Sequence, residues 1–120
     1  MFKIHASEFG LGTHWTVETG HTLEFTAAGN LELADQFGIA IWESRTARQG
    51  ADKLAMQADG NLVIYCGSRP LWATNTAQNP GAFLAILDGG LVICSADGRH
   101  LWSAVPEESE FTRNLGTGGR

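Results

Sequence analysis

The segment Pro70-Leu-Trp-Ala-Thr-Asn-Thr76 occurs in two further versions along the chain, Ala40-Ile-Trp-Glu-Ser-Arg-Thr46 and His100-Leu-Trp-Ser-Ala-Val-Pro106. In each version an aliphatic residue precedes the tryptophan, and the tryptophans follow one another at intervals of 30 residues. Self-similarity at a fixed period is typical of architectures built from one repeated unit. The sequence therefore predicts three copies of one supersecondary unit.

A second repeated block lies shortly before each tryptophan: Gly29-Asn-Leu-Glu-Leu33, Gly60-Asn-Leu-Val-Ile64 and Gly89-Gly-Leu-Val-Ile93. An apolar segment precedes each block, at 23–27, 54–58 and 83–87. Each unit thus consists of a strand, a glycine turn, a strand, a short loop and a tryptophan strand, and no long stretch keeps the apolar spacing of a helix. We predict an all-β fold in which three antiparallel sheets pack in a pseudo-threefold arrangement around Trp42, Trp72 and Trp102.

The alternation of side chains along a strand assigns the two faces of the middle unit. We expect its core face to contain Leu54, Met56, Ala58, Leu62 and Ile64. This face requires a hairpin loop with an odd number of residues. We therefore predict the three-residue loop Asp59-Gly60-Asn61, in which Gly60 or Asn61 adopts the left-handed conformation. Ala58 then pairs with Leu62 across the hairpin.

The opposite face of the middle unit carries the most distinctive polar group of the chain. Its members are Gln57, Asp59, Asn61, Val63 and Tyr65. Two amides, a carboxylate and a phenol surround one aliphatic side chain, and sugars match this inventory, because a hydroxyl both donates and accepts hydrogen bonds while the ring needs an apolar contact. From the residues alone, a sugar-binding surface and an ordinary solvated sheet face remain open.

The pattern Gln57-x-Asp59-x-Asn61-x-Val63-x-Tyr65 resembles the QxDxNxVxY signature of the monocot, or bulb-type, mannose-binding lectins. The resemblance extends from about residue 12 to residue 104 and implies a β-prism II fold. It also implies that Asp59 and Asn61 hold the axial 2-hydroxyl of α-D-mannose, which distinguishes mannose from glucose. By the same resemblance Gln57 holds the 3-hydroxyl, Tyr65 holds the 4-hydroxyl, and Val63 contacts the ring carbons.

The other two units depart from this signature. The matching positions of the first unit are Thr26, Ala28, Asn30, Glu32 and Ala34, and those of the third are Ile86, Asp88, Gly90, Val92 and Cys94. Because most of the polar groups are missing there, we predict one working site per chain, with mannose or mannose-rich glycans as the partner.

The outer face of the third unit suggests an alternative function. We expect this face to show Leu84, Ile86, Val92 and Cys94. A contiguous exposed apolar patch often marks an interface. The alternative is a β-prism scaffold that binds a partner protein or forms a homodimer through the third sheet. The face is otherwise expected to be covered by the N- or C-terminal segment.

Catalytic and metal chemistry find little support in the sequence. The four histidines are scattered and form no known catalytic motif, so we do not expect an enzyme. Cys66 and Cys94 are expected to be free thiols on different faces, which leaves no pair to share a metal ion. We therefore predict neither a metal site nor a cofactor.

Charge and length narrow the remaining classes of function. The 120-residue chain has a formal net charge of −5, whereas nucleic acids and anionic membrane surfaces attract basic proteins. Its longest apolar run, 81–87, is too short to span a bilayer. We assign residues 1–105 to one lectin-like domain and residues 106–120 to a polar tail. The N-terminus lacks the apolar segment of a secretory signal, which favours a cytoplasmic or non-classically secreted protein.

Overall fold

The computed structural model describes residues 2–87 and 89–104, and over these residues the chain is entirely β-strands and turns. The strands are β1 Lys3–Ile4, β2 Ser7–Phe9, β3 His14–Thr16, β4 Thr22–Phe25, β5 Leu31–Ala34, β6 Ala40–Glu43, β7 Lys53–Met56, β8 Leu62–Cys66, β9 Arg69–Ala73, β10 Phe83–Leu87, β11 Gly90–Cys94 and β12 His100–Ala104. The all-β prediction is confirmed. The predicted boundary between residues 105 and 106 lies outside the described residues.

The strands form three antiparallel sheets of four strands each. The first sheet has the order β3-β4-β5-β6, the second β2-β7-β8-β9 and the third β1-β10-β11-β12. Each sheet therefore contains one predicted unit, and the N-terminal segment supplies each with a fourth strand at its edge. These three edge strands are only two or three residues long, so their sequence shows no periodicity that could have predicted them.

The three repeated tryptophans meet at the centre, as predicted. The ring centroids of Trp42, Trp72 and Trp102 are 5.7, 5.7 and 5.9 Å apart, and all three rings pack against the main apolar cluster. Trp15 lies apart from them in the edge strand β3, where its ring meets Phe9 of β2 edge-on at 4.8 Å. The shared core therefore joins all three sheets, and Trp15 links two neighbouring edges.

The register of the middle hairpin differs from the prediction by two residues. Met56, not Ala58, pairs with Leu62, and Ala58 is exposed rather than part of the core. The loop is Ala58-Asp59-Gly60, in which the N–H of Gly60 donates to the carbonyl of Gln57 at 3.0 Å and Gly60 has φ +95°. A three-residue loop of this type has its left-handed residue at the third position. Gly60 takes that position in the observed loop, whereas it was the second residue of the predicted loop. A shift of two preserves the faces of the strands.

The third hairpin differs from its prediction by one residue, which reverses the faces of β10. Leu87 pairs directly with Gly90, so this hairpin is one residue shorter than the other two. Leu84 and Ile86 consequently face the core and do not belong to the outer face. Leu87, rather than Ile86, occupies the position that matches Gln57.

The outer face of the third sheet is not an exposed patch. Its apolar cluster consists of Phe83, Ala85, Val92 and Cys94, with Leu87 packed against it. Phe83 is only 5% exposed; the Lys3 ammonium lies 4.6 Å from the centre of its ring and the His5 ring 5.6 Å from it. The N-terminal segment therefore covers part of this face, which agrees with the expectation that a terminal segment covers it and not with an exposed interface.

Both cysteines are free, as predicted. Cys94 lies on the outer face of the third sheet, and burial raises the pKa of its thiol, an effect that the nearby Lys3 partly offsets. Cys66 is half-buried at the end of β8, beside Gly50. Over the described ranges there is no helix of the length and hydropathy needed to cross a bilayer.

Candidate functional site

The turn between β7 and β8 is held in place by its own hydrogen bonds. The N–H of Gln57 donates to the carbonyl of Asn61, and the N–H of Asn61 donates to Oδ1 of Asp59, both at 2.9 Å. Gly60 cannot be replaced without cost, since a Cβ atom there would lie 2.3 Å from the carbonyl oxygen of Asn79. The hydrogen bonds of the turn and the close packing at Gly60 therefore fix the positions of Asp59 and Asn61.

The segment after Trp72 fastens this turn from the other side. Oδ1 of Asn61 accepts the N–H of Thr76 at 3.1 Å and the hydroxyl of Thr74 at 3.3 Å. The Thr76 hydroxyl donates to the carbonyl of Gly60 at 2.6 Å. The role of these threonines was not predicted from the sequence. The signal was present, because Ser44 and Thr46 repeat the spacing in the first unit and make the same bonds to Asn30.

The predicted site residues share the outer face of the second sheet. The side-chain amide of Gln57 donates to the Tyr65 hydroxyl. Asp59 is exposed at the turn, and Asn61 and Tyr65 are half-buried. Val63 is only 3% exposed, so it forms the floor between the polar groups and offers a ligand a small apolar contact.

Two shallow depressions border the five residues. One, of about 400 Å³, is lined by Asn61, Val63 and Tyr65 together with residues of β9 such as Pro70. The other, of about 470 Å³, is lined by Gln57 and Asp59 and bordered by Glu8 and other residues of the N-terminal segment. Gln57 of one depression is hydrogen-bonded to Tyr65 of the other, so both depressions border the same five-residue face.

The hydrogen bonds assign a direction to each polar group. Because the Tyr65 hydroxyl oxygen accepts from Gln57, its proton is available to a ligand. Among the residues that the structure describes, Oε1 of Gln57, Oδ2 of Asp59 and Nδ2 of Asn61 have no partner. The face therefore offers two donors and two acceptors, which is the mixture that adjacent sugar hydroxyls require.

The first sheet shows what happens when these groups are used internally. Asn30 occupies the position of Asn61, but its Nδ2 donates to Glu32 at 2.9 Å and to Glu43 at 2.8 Å. Glu32 stands where the second sheet has Val63, and it is flanked by Glu24 and Glu43 on the neighbouring strands. The first sheet thus has neither a free amide nor an apolar floor.

Among its described residues, the third sheet has none of the polar groups of the second sheet's signature. Leu87, Gly90 and Cys94 stand at the positions of Gln57, Asn61 and Tyr65. Asp88, which the sequence matched to Asp59, lies outside the described residues. The outer faces of the first and third sheets therefore differ in chemistry from the outer face of the second sheet.

An ion pair that the sequence did not predict adjoins Tyr65. Nζ of Lys53 lies 5.0 Å from the centre of the Tyr65 ring and 3.5 Å from Oε2 of Glu8. Glu8 comes from β2, the edge strand of this sheet. The sequence held no signal for this pairing, because it depends on where a three-residue strand docks.

Solved structures of high similarity are lectins. A monomeric monocot mannose-binding lectin from Gastrodia elata is 33% identical in sequence, with a TM-score of 0.76, and the match covers 84% of this chain and 94% of that one. A lectin from Polygonatum cyrtonema, solved in complex with a monomannoside, is 27% identical with a TM-score of 0.68, and the match covers 76% of this chain and 86% of that one.

Sequence comparison points in the same direction over a shorter stretch. The B-type lectin plumieribetin of Scorpaena plumieri is 33% identical over a match of 67 residues, which covers 53% of this chain. The match spans only 59% of that relative's length. No protein-family model matches the chain.

Proposed function

The chain belongs to the family of monocot, or bulb-type, mannose-binding lectins, and we propose that it binds mannose-containing glycans through one site on the second sheet. Its three sheets form the β-prism II fold of that family. The relatives that share this fold are carbohydrate-binding proteins rather than enzymes. The proposed ligand is α-D-mannose, held by Gln57, Asp59, Asn61, Val63 and Tyr65.

The observation that carries the proposal is the unused amide of Asn61. Oδ1 of this residue accepts the N–H of Thr76, whereas Nδ2 has no partner among the described residues, and neither has Oδ2 of Asp59, two residues earlier in the same turn. A donor and a charged acceptor side by side grip one hydroxyl from both sides, and bonds to the charged group are the stronger ones. In the first sheet the corresponding amide is already occupied by Glu32 and Glu43.

The remaining groups complete the fit to a hexose. Tyr65 donates to one equatorial hydroxyl, and Oε1 of Gln57 accepts from its neighbour. Val63 contacts the ring with the small surface that it exposes. A shallow site of this kind, with a few bonds that each contribute about 0.5–1.5 kcal/mol, binds a monosaccharide with a dissociation constant on the order of 1 mM. Tight binding to a glycan therefore requires several copies of the protein, presented together on one surface.

Calorimetric titration with methyl α-mannoside and methyl α-glucoside tests the proposal, because the two sugars differ at the 2-hydroxyl. We expect millimolar binding of the mannoside and much weaker binding of the glucoside. Asp59→Asn keeps an oxygen for the N–H of Asn61 but removes the charge, and it should weaken mannoside binding at least tenfold.

A matched control is available on another hairpin. Oδ1 of Asp35 accepts the N–H groups of Phe37 and Ile39 at 2.9 Å, the same kind of turn bond, and Asp35→Asn should bind as the unaltered protein does. A protein that leaves mannosides unbound at tens of millimolar would overturn the proposal. Unchanged affinity in Asp59→Asn would overturn the assignment of the site.

A further inference from the structure

A row of side chains connects the N-terminal edge strand to the sugar site. Lys53 and Tyr65 face each other across β7 and β8. The Lys53 ammonium lies 5.0 Å from the centre of the Tyr65 ring, and Oε2 of Glu8 lies 3.5 Å from that ammonium. The hydroxyl end of Tyr65 in turn accepts from Gln57. Glu8, Lys53, Tyr65 and Gln57 thus form one continuous chain of contacts.

The orientation of the Tyr65 ring decides where its hydroxyl proton points. One end of the side chain is held by the backbone of β8 and the other by the amide of Gln57. Between these ends the ring can still tilt, since it is half-buried at the mouth of a shallow depression. A cation over the ring face is attracted by the negative charge density of the π system, so Lys53 restrains that tilt.

Lys53 is itself restrained by the edge strand. Its side chain is 37% exposed, and a long exposed lysine has many rotamers. The carboxylate of Glu8 selects the rotamer that places the ammonium beside the ring. Glu8 occupies this position because it lies opposite Ala55 when β2 pairs with β7.

We propose that Lys53, held by Glu8, is a positioning residue of the sugar site, which it serves by keeping the Tyr65 ring where its hydroxyl donates to the ligand. The inference rests on the proposed function. Through Glu8, the N-terminal strand β2 then takes part in recognition of the sugar hydroxyl that Tyr65 contacts. By family resemblance this is the 4-hydroxyl. If the pair of Glu8 and Lys53 served only to keep the edge of the sheet charged and soluble, its removal would leave the affinity for the sugar unchanged.

The test compares methyl α-mannoside with its 4-deoxy analogue by calorimetric titration. Lys53→Met removes the cation and keeps the length of the side chain. It should weaken binding of the parent sugar by about two- to fivefold, as expected for an exposed cation–π contact, and leave the 4-deoxy sugar unaffected. Lys53→Arg keeps a cation over the ring and should restore the parent affinity. In a Tyr65→Phe background, Lys53→Met should cause no further loss.

A spectroscopic readout in the free protein accompanies the titration. Tyr65 is the only tyrosine of the chain, so tyrosine labelled at its ring carbons gives a single set of resonances. Lys53→Met and Glu8→Gln should both shift that set. The matched control is Lys3→Met, which removes the cation lying 4.6 Å from the centre of the Phe83 ring on the third sheet; it should change neither the resonances nor the affinity.

The outcomes separate this inference from the proposed function. Equal losses for both sugars, additive losses with Tyr65→Phe, or unmoved Tyr65 resonances would overturn the positioning role while mannose binding stands. Failure of the unaltered protein to bind either sugar would overturn the proposed function and the inference with it. Glu8→Gln leaves Lys53 in place, so it keeps the inference testable even where Lys53→Met folds poorly.

Discussion

Asn61 and Thr76 are joined by a hydrogen bond in which Oδ1 of Asn61 accepts the backbone N–H of Thr76 at 3.1 Å. The nitrogen of the same side chain has no partner among the described residues and is the donor that we propose for the sugar. One residue therefore serves both the fold and the site, with a different atom for each. A substitution that removes both Oδ1 and Nδ2 changes stability and sugar binding together. A substitution that replaces Nδ2 alone tests sugar binding separately from the bond to Thr76.

Asn61→Asp and Asn61→Ala should have different effects on stability and the same effect on binding. Asp keeps the acceptor for Thr76, replaces the donor by an oxygen and adds a charge two residues from Asp59, so its stability should stay closer to that of the unaltered protein than the stability of Asn61→Ala does. Ala leaves the N–H of Thr76 without its partner, which costs about 1–3 kcal/mol of the free energy of unfolding. Both should lose mannoside binding. Urea denaturation and calorimetric titration measure the two quantities.

Two results would contradict this division of roles. Equal stability of the two variants would show that the bond to Thr76 does not fasten the loop. Mannoside binding by Asn61→Asp at the original affinity would show that the amide nitrogen is not a ligand group.

The middle hairpin illustrates which parts of the fold the sequence could predict. The faces of the strands were predicted correctly, because alternation with period two is unaffected by a shift of two residues. The register was not, because it depends on whether Gly60 is the second or the third residue of the loop. The left-handed glycine, φ +95°, decides that question through turn geometry rather than through hydrophobicity.

The third hairpin and the edge strands show where the sequence signal ends. All residues of β10 are apolar and largely buried, so Phe83–Leu87 offers no alternation from which its faces could be read. The edge strands β1 to β3 are too short to show a pattern of their own. For the site, the five signature positions were predictable from spacing, whereas Lys53 and Glu8 depend on the docking of β2 and were not.

Gly60→Ala should destabilise the protein more than the same change at another left-handed glycine. At Gly60 the new Cβ would meet the carbonyl of Asn79 at 2.3 Å, in addition to the strain of φ +95°. Gly38 has φ +84° with open space around it, so Gly38→Ala should cost only the strain, about 1–2 kcal/mol. Urea midpoints of the two variants give the comparison. Equal losses would mean that the turn gives way at no cost.

The two thiols should react with a disulfide reagent in two separate phases. Burial raises the pKa of the Cys94 thiol, so at any pH below that pKa less of it is the reactive thiolate. Cys66 is half-buried and more accessible. In the native protein at pH 8 we expect one faster and one slower thiol, and Cys66→Ser should remove the faster phase. In urea the two should react alike; a single native phase accounting for both thiols would contradict the assignment.

A second sugar site should be recoverable on the first sheet. Its turn already matches that of the second sheet, since the N–H of Thr26 donates to the carbonyl of Asn30 at 2.8 Å and that of Gly29 to the carbonyl of Thr26 at 2.9 Å. What differs is the side chains, above all the two carboxylates on Nδ2 of Asn30. The substitutions that copy the second sheet are Thr26→Gln, Ala28→Asp, Glu32→Val, Ala34→Tyr and Glu43→Ala.

In this variant Asn30 should lose its internal acceptors and present a free donor beside a new carboxylate, on a backbone that already has the right turn. We expect the number of methyl α-mannoside molecules bound per chain to rise from one to two in a calorimetric titration. The new site should be about two- to fivefold weaker, because Thr22 stands where the second sheet has Lys53. Glu32→Val with Glu43→Ala alone is the control: it frees the amide without supplying the other groups and should leave the number at one. A count of one in the full variant, with the fold intact by circular dichroism, would mean that the second sheet contributes more to binding than the copied side chains, the shared turn and the modest effect of Lys53.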